Sequence, residues 1–114
     1  MHRPIRIAFL ALALGLSTIA TAFAADLPSV ELNIRQHRFE PARVTIPAGR
    51  KVLLVVHNRD ATPEEFESNE FNREKVIMGG RSARIYVGPL KAGSYRFYGE
   101  FHADSAQGVL VVEE

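Results

Sequence analysis

At 114 residues the chain is sized for one domain, and with 46% apolar residues it can fill a core; its composition carries no signature of disorder. Its 14 Lys and Arg against 13 Asp and Glu lie scattered without a basic stripe, which argues against nucleic acid or an anionic membrane as partners drawn in by long-range charge. There is no cysteine, which excludes thiolate metal centres, cysteine nucleophiles and disulfide staples.

The first residues read as a secretory signal. Arg3 and Arg6 give a positive start, residues 7–16 are an unbroken apolar run, and Thr21-Ala22-Phe23-Ala24 supplies an A-x-A site. The apolar run is too short to span a bilayer, which needs about 20 residues. Cleavage is expected after Ala24, leaving a domain of residues 25–114, free in the periplasm and not inserted in the membrane. Removing Arg3 and Arg6 leaves 12 Lys and Arg against 13 Asp and Glu, close to neutral.

Residues 30–35 alternate apolar and polar, the pattern of a half-buried strand. Phe39-Glu40-Pro41 interrupts it, residues 43–46 form a second short strand, and Pro47-Ala48-Gly49 turns the chain. Residues 51–57 are a continuous β-branched and apolar run, predicting a central strand covered on both faces. Thr62, Pro63 and Glu65 have the layout of a capping box, with hydroxyl at N-cap, proline at N1 and glutamate at N3, predicting a helix of two turns to about residue 72. Strands follow over 74–78 and 83–87, then a long turn over 88–93. The closing pair, residues 95–112, reads as strand, loop, strand. Seven or so short strands at this spacing predict an all-β, antiparallel Greek-key sandwich with one short helix. Phe39, Phe66, Phe71, Phe97 and Phe101 are expected to fill the space between its sheets, with Met78 also packed. Tyr95 fits a tyrosine corner.

Glu100, His102 and Asp104 stand on alternate residues where the first closing strand ends, so they share one side of the loop. Two carboxylates and an imidazole make half of a metal site, and the acidic segment Pro63-Glu64-Glu65-Phe66-Glu67 is the expected source of the rest. The predicted metal residues are Glu67, Glu100 and His102, with Glu65 as a further ligand that also suits a helix-cap role. Carboxylate and imidazole donors suit Cu(II), Fe, Mn or Zn and give no strong preference for Cu(I). His57 reads as structural at the end of the central strand, Asp104 as a loop cap, Glu74 as an exposed strand residue, and His37 as a turn residue without assigned chemistry. No G-x-S-x-G, phosphate loop or H-E-x-x-H pattern is present, and a domain this small lacks walls for a substrate cleft, so no enzyme is expected.

Phe39-Glu40-Pro41, Ile46-Pro47-Ala48-Gly49, Val56-His57-Asn58-Arg59-Asp60 and the closing Gly93-x-Tyr95-x-Phe97…His102…Gly108-x-Leu110-Val111-Val112 together resemble the cupredoxins over nearly the whole exported chain. More narrowly, Glu65-Phe66-Glu67-Ser68, Arg73-Glu74-Lys75-Val76, Gly88-Pro89-Leu90 and Glu100-Phe101-His102 resemble the cupredoxin-like domain of EfeO-type periplasmic iron-uptake proteins. The resemblance implies a β-sandwich, a transition metal, and a membrane iron permease or other metal-handling protein as partner. It also exposes departures. Aligned on His102, Gly99 stands where the copper carriers have their thiolate, and Glu64, Glu65 and Glu67 occupy the region of their first histidine. With one imidazole of the blue-copper set, the chain is expected to hold Cu(II) or Fe for uptake or handling and not to carry electrons. The rival expectation is a vestigial site whose acids and His102 form a polar network that stiffens the loops for a protein partner.

Overall fold

The computed structural model describes residues 27–114; the predicted signal segment lies outside the described residues. Nine strands follow in order: β1 (Ser29–Arg35), β2 (Arg38–Glu40), β3 (Arg43–Pro47), β4 (Val52–Asn58), β5 (Glu64–Ser68), β6 (Arg73–Ile77), β7 (Ser82–Val87), β8 (Gly93–Gly99) and β9 (Gln107–Glu113). They make two sheets, ordered β2-β1-β4-β7 and β3-β9-β8-β5-β6. One apolar cluster joins them, with Leu32, Ile34, Leu54 and Val56 from the first sheet meeting Phe66, Phe97, Leu110 and Val112 from the second. This is the expected all-β sandwich.

The unbroken apolar run is β4, central in its sheet, with Val52, Leu54, Val56 and Asn58 buried toward the core. The expected cover on both faces does not form, since on the outer face Leu53 is buried but Val55 and His57 are partly exposed. β1 alternates as its sequence does, placing Leu32 and Ile34 in the core and Glu31 and Asn33 outward. The sandwich is not wholly antiparallel. β1 runs parallel to β4 and β3 parallel to β9, because the chain leaves the first sheet after β2 and comes back beside β1 in the same direction. Phe39-Glu40, expected as an interruption, belongs to β2, the hairpin partner of β1.

The predicted helix after Thr62 does not form. Glu64–Ser68 is β5, with Glu64, Phe66 and Ser68 buried and Glu65 and Glu67 turned to the other face. The capping-box pattern loses because β5 lies between β8 and β6, so tertiary pairing on both sides supplies its hydrogen bonds. The helical element among the described residues is a single 3-10 turn at Glu100–His102. Phe39, Phe66, Phe71 and Phe97 are buried as expected. Phe101 is not: it rides on that turn, past the sandwich end, and is 49% exposed, as is Met78 at 58%. The Tyr95 hydroxyl donates to the Lys91 carbonyl at 2.7 Å, four residues upstream, in the manner of a tyrosine corner.

Candidate metal centre

Three chain segments meet at one end of the sandwich: the β1–β2 turn, the start of β5, and the 3-10 turn after β8. They bring His37, Glu64 and His102 together, with one ligand atom of each within 4.8 Å of the others. Glu64 is 1% exposed. A buried carboxylate must be hydrogen-bonded to be tolerated, and this one is. Its Oε1 accepts the amides of Glu65 and Phe101, each at 2.9 Å, and its Oε2 accepts from Nδ1 of His102 at 2.6 Å. The 3-10 turn is what aims both the Phe101 amide and the His102 ring at the same carboxyl.

His37 reaches the cluster from a two-residue hairpin loop. Arg35 pairs with Arg38, and Gln36 and His37 between them have φ of 52° and 58°. A tight hairpin of this hand asks for positive φ at both central residues, which Asn-Gly supplies cheaply and Gln-His does not. The carboxylate of Asp60 holds it there, accepting the Gln36 amide at 2.7 Å and the His37 amide at 3.0 Å. Asp60 is placed by buried Asn58, whose Oδ1 accepts the Asp60 amide while its Nδ2 donates to the carbonyls of Thr62 and Ile77. From the other side, the Ser105 hydroxyl donates to the His37 carbonyl at 2.6 Å. The imidazoles of His37 and His102 then stack with centroids 3.5 Å apart and 27° between planes. Burial opposes ionisation of Asp60, but the His37 and Gln36 amides and the two imidazoles outweigh it and hold its carboxyl below the ordinary 3.8.

Of the four predicted metal residues, His102 is in this cluster. Glu65 and Glu67 are on the opposite face of β5 from Glu64, and Glu100 is exposed at the first position of the 3-10 turn. These carboxylates form a separate acidic patch with Glu74, which stands directly across the ladder from Glu67. Partial burial, then repulsion from Glu100, Glu65 and Glu74 and a hydrogen bond with Glu65, raise the Glu67 carboxyl above 4.5. Arg73 donates to the backbone carbonyls of Tyr86 and Asn72. Asp104 is exposed in the same loop. His57 faces outward on the first sheet, with Nδ1 on Ser82 Oγ at 2.6 Å and Nε2 on Glu31 Oε1 at 2.8 Å.

Glu64 lies in the acidic segment expected to complete the site, though the ligands expected from it are Glu65 and Glu67, and His37 is expected only as a turn residue. The signal for Glu64 was present, since Glu64, Phe66 and Ser68 share one face if the segment is read with period two. His37 had no local signal, because its place depends on Asp60, 23 residues away.

A family model described as the cupredoxin-like domain matches residues 6–112. An uncharacterized protein of Rickettsia prowazekii (strain Madrid E) is 44% identical over 89 residues, covering 78% of this chain and 71% of that protein. Among solved structures, the chain is similar to the metal binding domain of the Streptococcus pneumoniae D39 Cu(I) exporting P-type ATPase CopA, at a TM-score of 0.68 and 16% identity over 75% of this chain and 85% of that one. It is similar to auracyanin A, a "blue" copper protein of Chloroflexus aurantiacus, at 0.67 and 16% over 77% and 100%. A variant of amicyanin in its Cu(I) form follows at 0.60 and 18% over 75% and 82%. At these identities the structural likeness establishes a common fold.

Proposed function

Because the chain belongs to the cupredoxin-like domain family, we propose that it is a periplasmic metal-handling protein that takes a divalent transition metal between His37, Glu64 and His102. The observation that carries this reading is the convergence of two imidazoles and one buried carboxylate within 4.8 Å. The similarity to copper-holding domains of the same fold supports it. A blue-copper centre does not fit, since the set of two imidazoles and a thiolate cannot be assembled from a chain without cysteine. Two imidazoles and a carboxylate suit Cu(II) foremost, and Fe or Zn after it. The ion is cargo in this reading, handed to or from a membrane permease or another metal-handling protein.

The chain's own residues prepare the place. Asp60 and Ser105 fix the His37 turn, and the Glu65 and Phe101 amides anchor one oxygen of Glu64, leaving the other toward the imidazoles. Nδ1 of His102 and Oε2 of Glu64 are hydrogen-bonded at 2.6 Å. A metal taking those atoms replaces that bond, and because its ligands bind in their deprotonated forms, uptake weakens as pH falls.

Titration of the purified protein with Cu(II) and with Fe tests the reading. One equivalent is expected to bind, with affinity lost in His102→Ala and Glu64→Gln and kept in Glu65→Gln. Undiminished binding in both of the first two variants would remove the proposal. The 2.6 Å contact between Glu64 and His102 favours one second reading, a polar lock that stiffens this end for a protein partner. Thermal melting separates the two. An ion at 100 times its Kd adds about 2.7 kcal/mol to the folded state, whereas a lock gives a melting temperature indifferent to metal.

A further inference from the structure

Gly99 ends β8 with φ −98° and ψ 113°, extended backbone that any residue adopts. Conformation therefore gives no reason for glycine at this position; space does. A Cβ on residue 99 would stand 2.6 Å from Cδ and 2.8 Å from Oε2 of Glu64, and 2.8 Å from Cβ of Ala106. Real Cβ atoms do not come this close to such neighbours. The residue across the ladder from Gly99 is Phe66, so Glu64 reaches over from beyond the last pair of β5 and β8. Its carboxyl fills the volume that a side chain at 99 would enter, with His102 on its oxygen and His37 stacked behind.

We propose that the anionic donor position beside the two imidazoles can be served from β5 or from residue 99 but not from both, and that Glu64, by occupying it, selects the class of ion. Served by a carboxylate, the position favours Cu(II) over Cu(I); served by a thiolate from residue 99, it would favour Cu(I). Glu64 is thereby the specificity-determining residue of the site. The ion-selecting half of this inference rests on the metal reading above; the shared-volume half does not.

Two experiments divide it accordingly. In the first, metal-free wild type, Gly99→Ala, Glu64→Ala and the double variant are unfolded in urea. Gly99→Ala is expected to cost clearly less in the Glu64→Ala background, and the Ala106 contact, common to both backgrounds, drops out of the comparison. Equal cost in both backgrounds would overturn the shared volume. If Gly99→Ala does not fold on its own, recovery of folding in the double variant reads the same coupling, and continued failure there overturns it.

In the second, Cu(I) and Cu(II) are each titrated against a chelator of known affinity, for wild type and for Glu64→Ala/Gly99→Cys. The ratio of Cu(I) to Cu(II) affinity is expected to rise by about tenfold or more in the double variant, with a thiolate absorption band in the Cu(II) form. An unchanged ratio, or a wild type that already prefers Cu(I), would overturn the selection by Glu64. A wild type that takes up neither ion defeats the metal reading and the selection together, and the urea comparison still decides whether the two positions share one space.

Discussion

Asp60 shows how much of the site is decided by a residue that holds no ligand position. Two consecutive residues with positive φ are costly for side chains like Gln36 and His37, and an Asn-Gly turn would relieve them. An imidazole in this loop makes sense where an imidazole is wanted at the cluster, and Asp60 offsets the cost through two amide hydrogen bonds. Its carboxyl lies below its ordinary value, so the sign of its pH effect follows: the stabilisation is in force above the unfolded value and is lost as pH falls through the lower folded one. Asp60→Asn, which resembles the protonated acid, is expected to lower stability at pH 7 by about 1–2 kcal/mol. In urea unfolding the gap between wild type and variant should close as the pH is taken below 3.8. A gap that persists at acid pH would mean that the charge is not what holds the turn. None of this was legible locally. Asn58-Arg59-Asp60 reads as a turn, and nothing in it reports that the carboxylate serves another turn 23 residues earlier.

At the scale of the element, β5 decides which acids belong to which site. The sequence pattern was ambiguous because a buried glutamate masks the alternation: Glu64, Phe66 and Ser68 look like helix-start polar residues around one aromatic until Glu64 is recognised as an inward residue. The adjacent β8 was legible from its period, since Tyr95 and Phe97 on its inner face are aromatic and no charged residue there has to be counted as core. Register then sets Glu67 against Glu74, two like charges directly opposed across strands, which is unfavourable. Glu67 is raised above 4.5, so its presence favours the fold below that value and ceases to do so as pH rises through the raised one. Glu67→Gln is accordingly expected to match wild type in acid and to exceed it in melting temperature at pH 7. The advantage should shrink with added salt as the outer carboxylates are screened. A variant less stable than wild type at pH 7 and low salt would show that Glu67 has a favourable partner on that face.

Across the whole molecule, the site is held by the aromatic core beneath it. Phe66 follows Glu64 on the inner face of β5 and is fully buried. Its ring lies 5.1 Å from that of Phe97 on β8, which leads into the His102 turn, and 6.0 Å from that of Phe39 on β2, which begins the strand after His37. Phe39 and Phe97 also meet edge to face at 4.9 Å. Three strands that deliver the three site residues are thus joined through one aromatic cluster, and without disulfides that cluster carries the burden of order. Phe66→Ala is expected to cost about 3–5 kcal/mol, from lost transfer energy and the cavity left behind. That is a large part of a domain's total stability of about 5–15 kcal/mol. Phe101, one residue from His102 and equally aromatic, sits half in solvent past the end of the sandwich. Phe101→Ala should therefore change stability by less than about 0.5 kcal/mol. Thermal melts of the two variants side by side check the division between core and rim: similar losses in both would mean that the closing loop is packed into the core and that the site is buried more deeply than its exposure indicates.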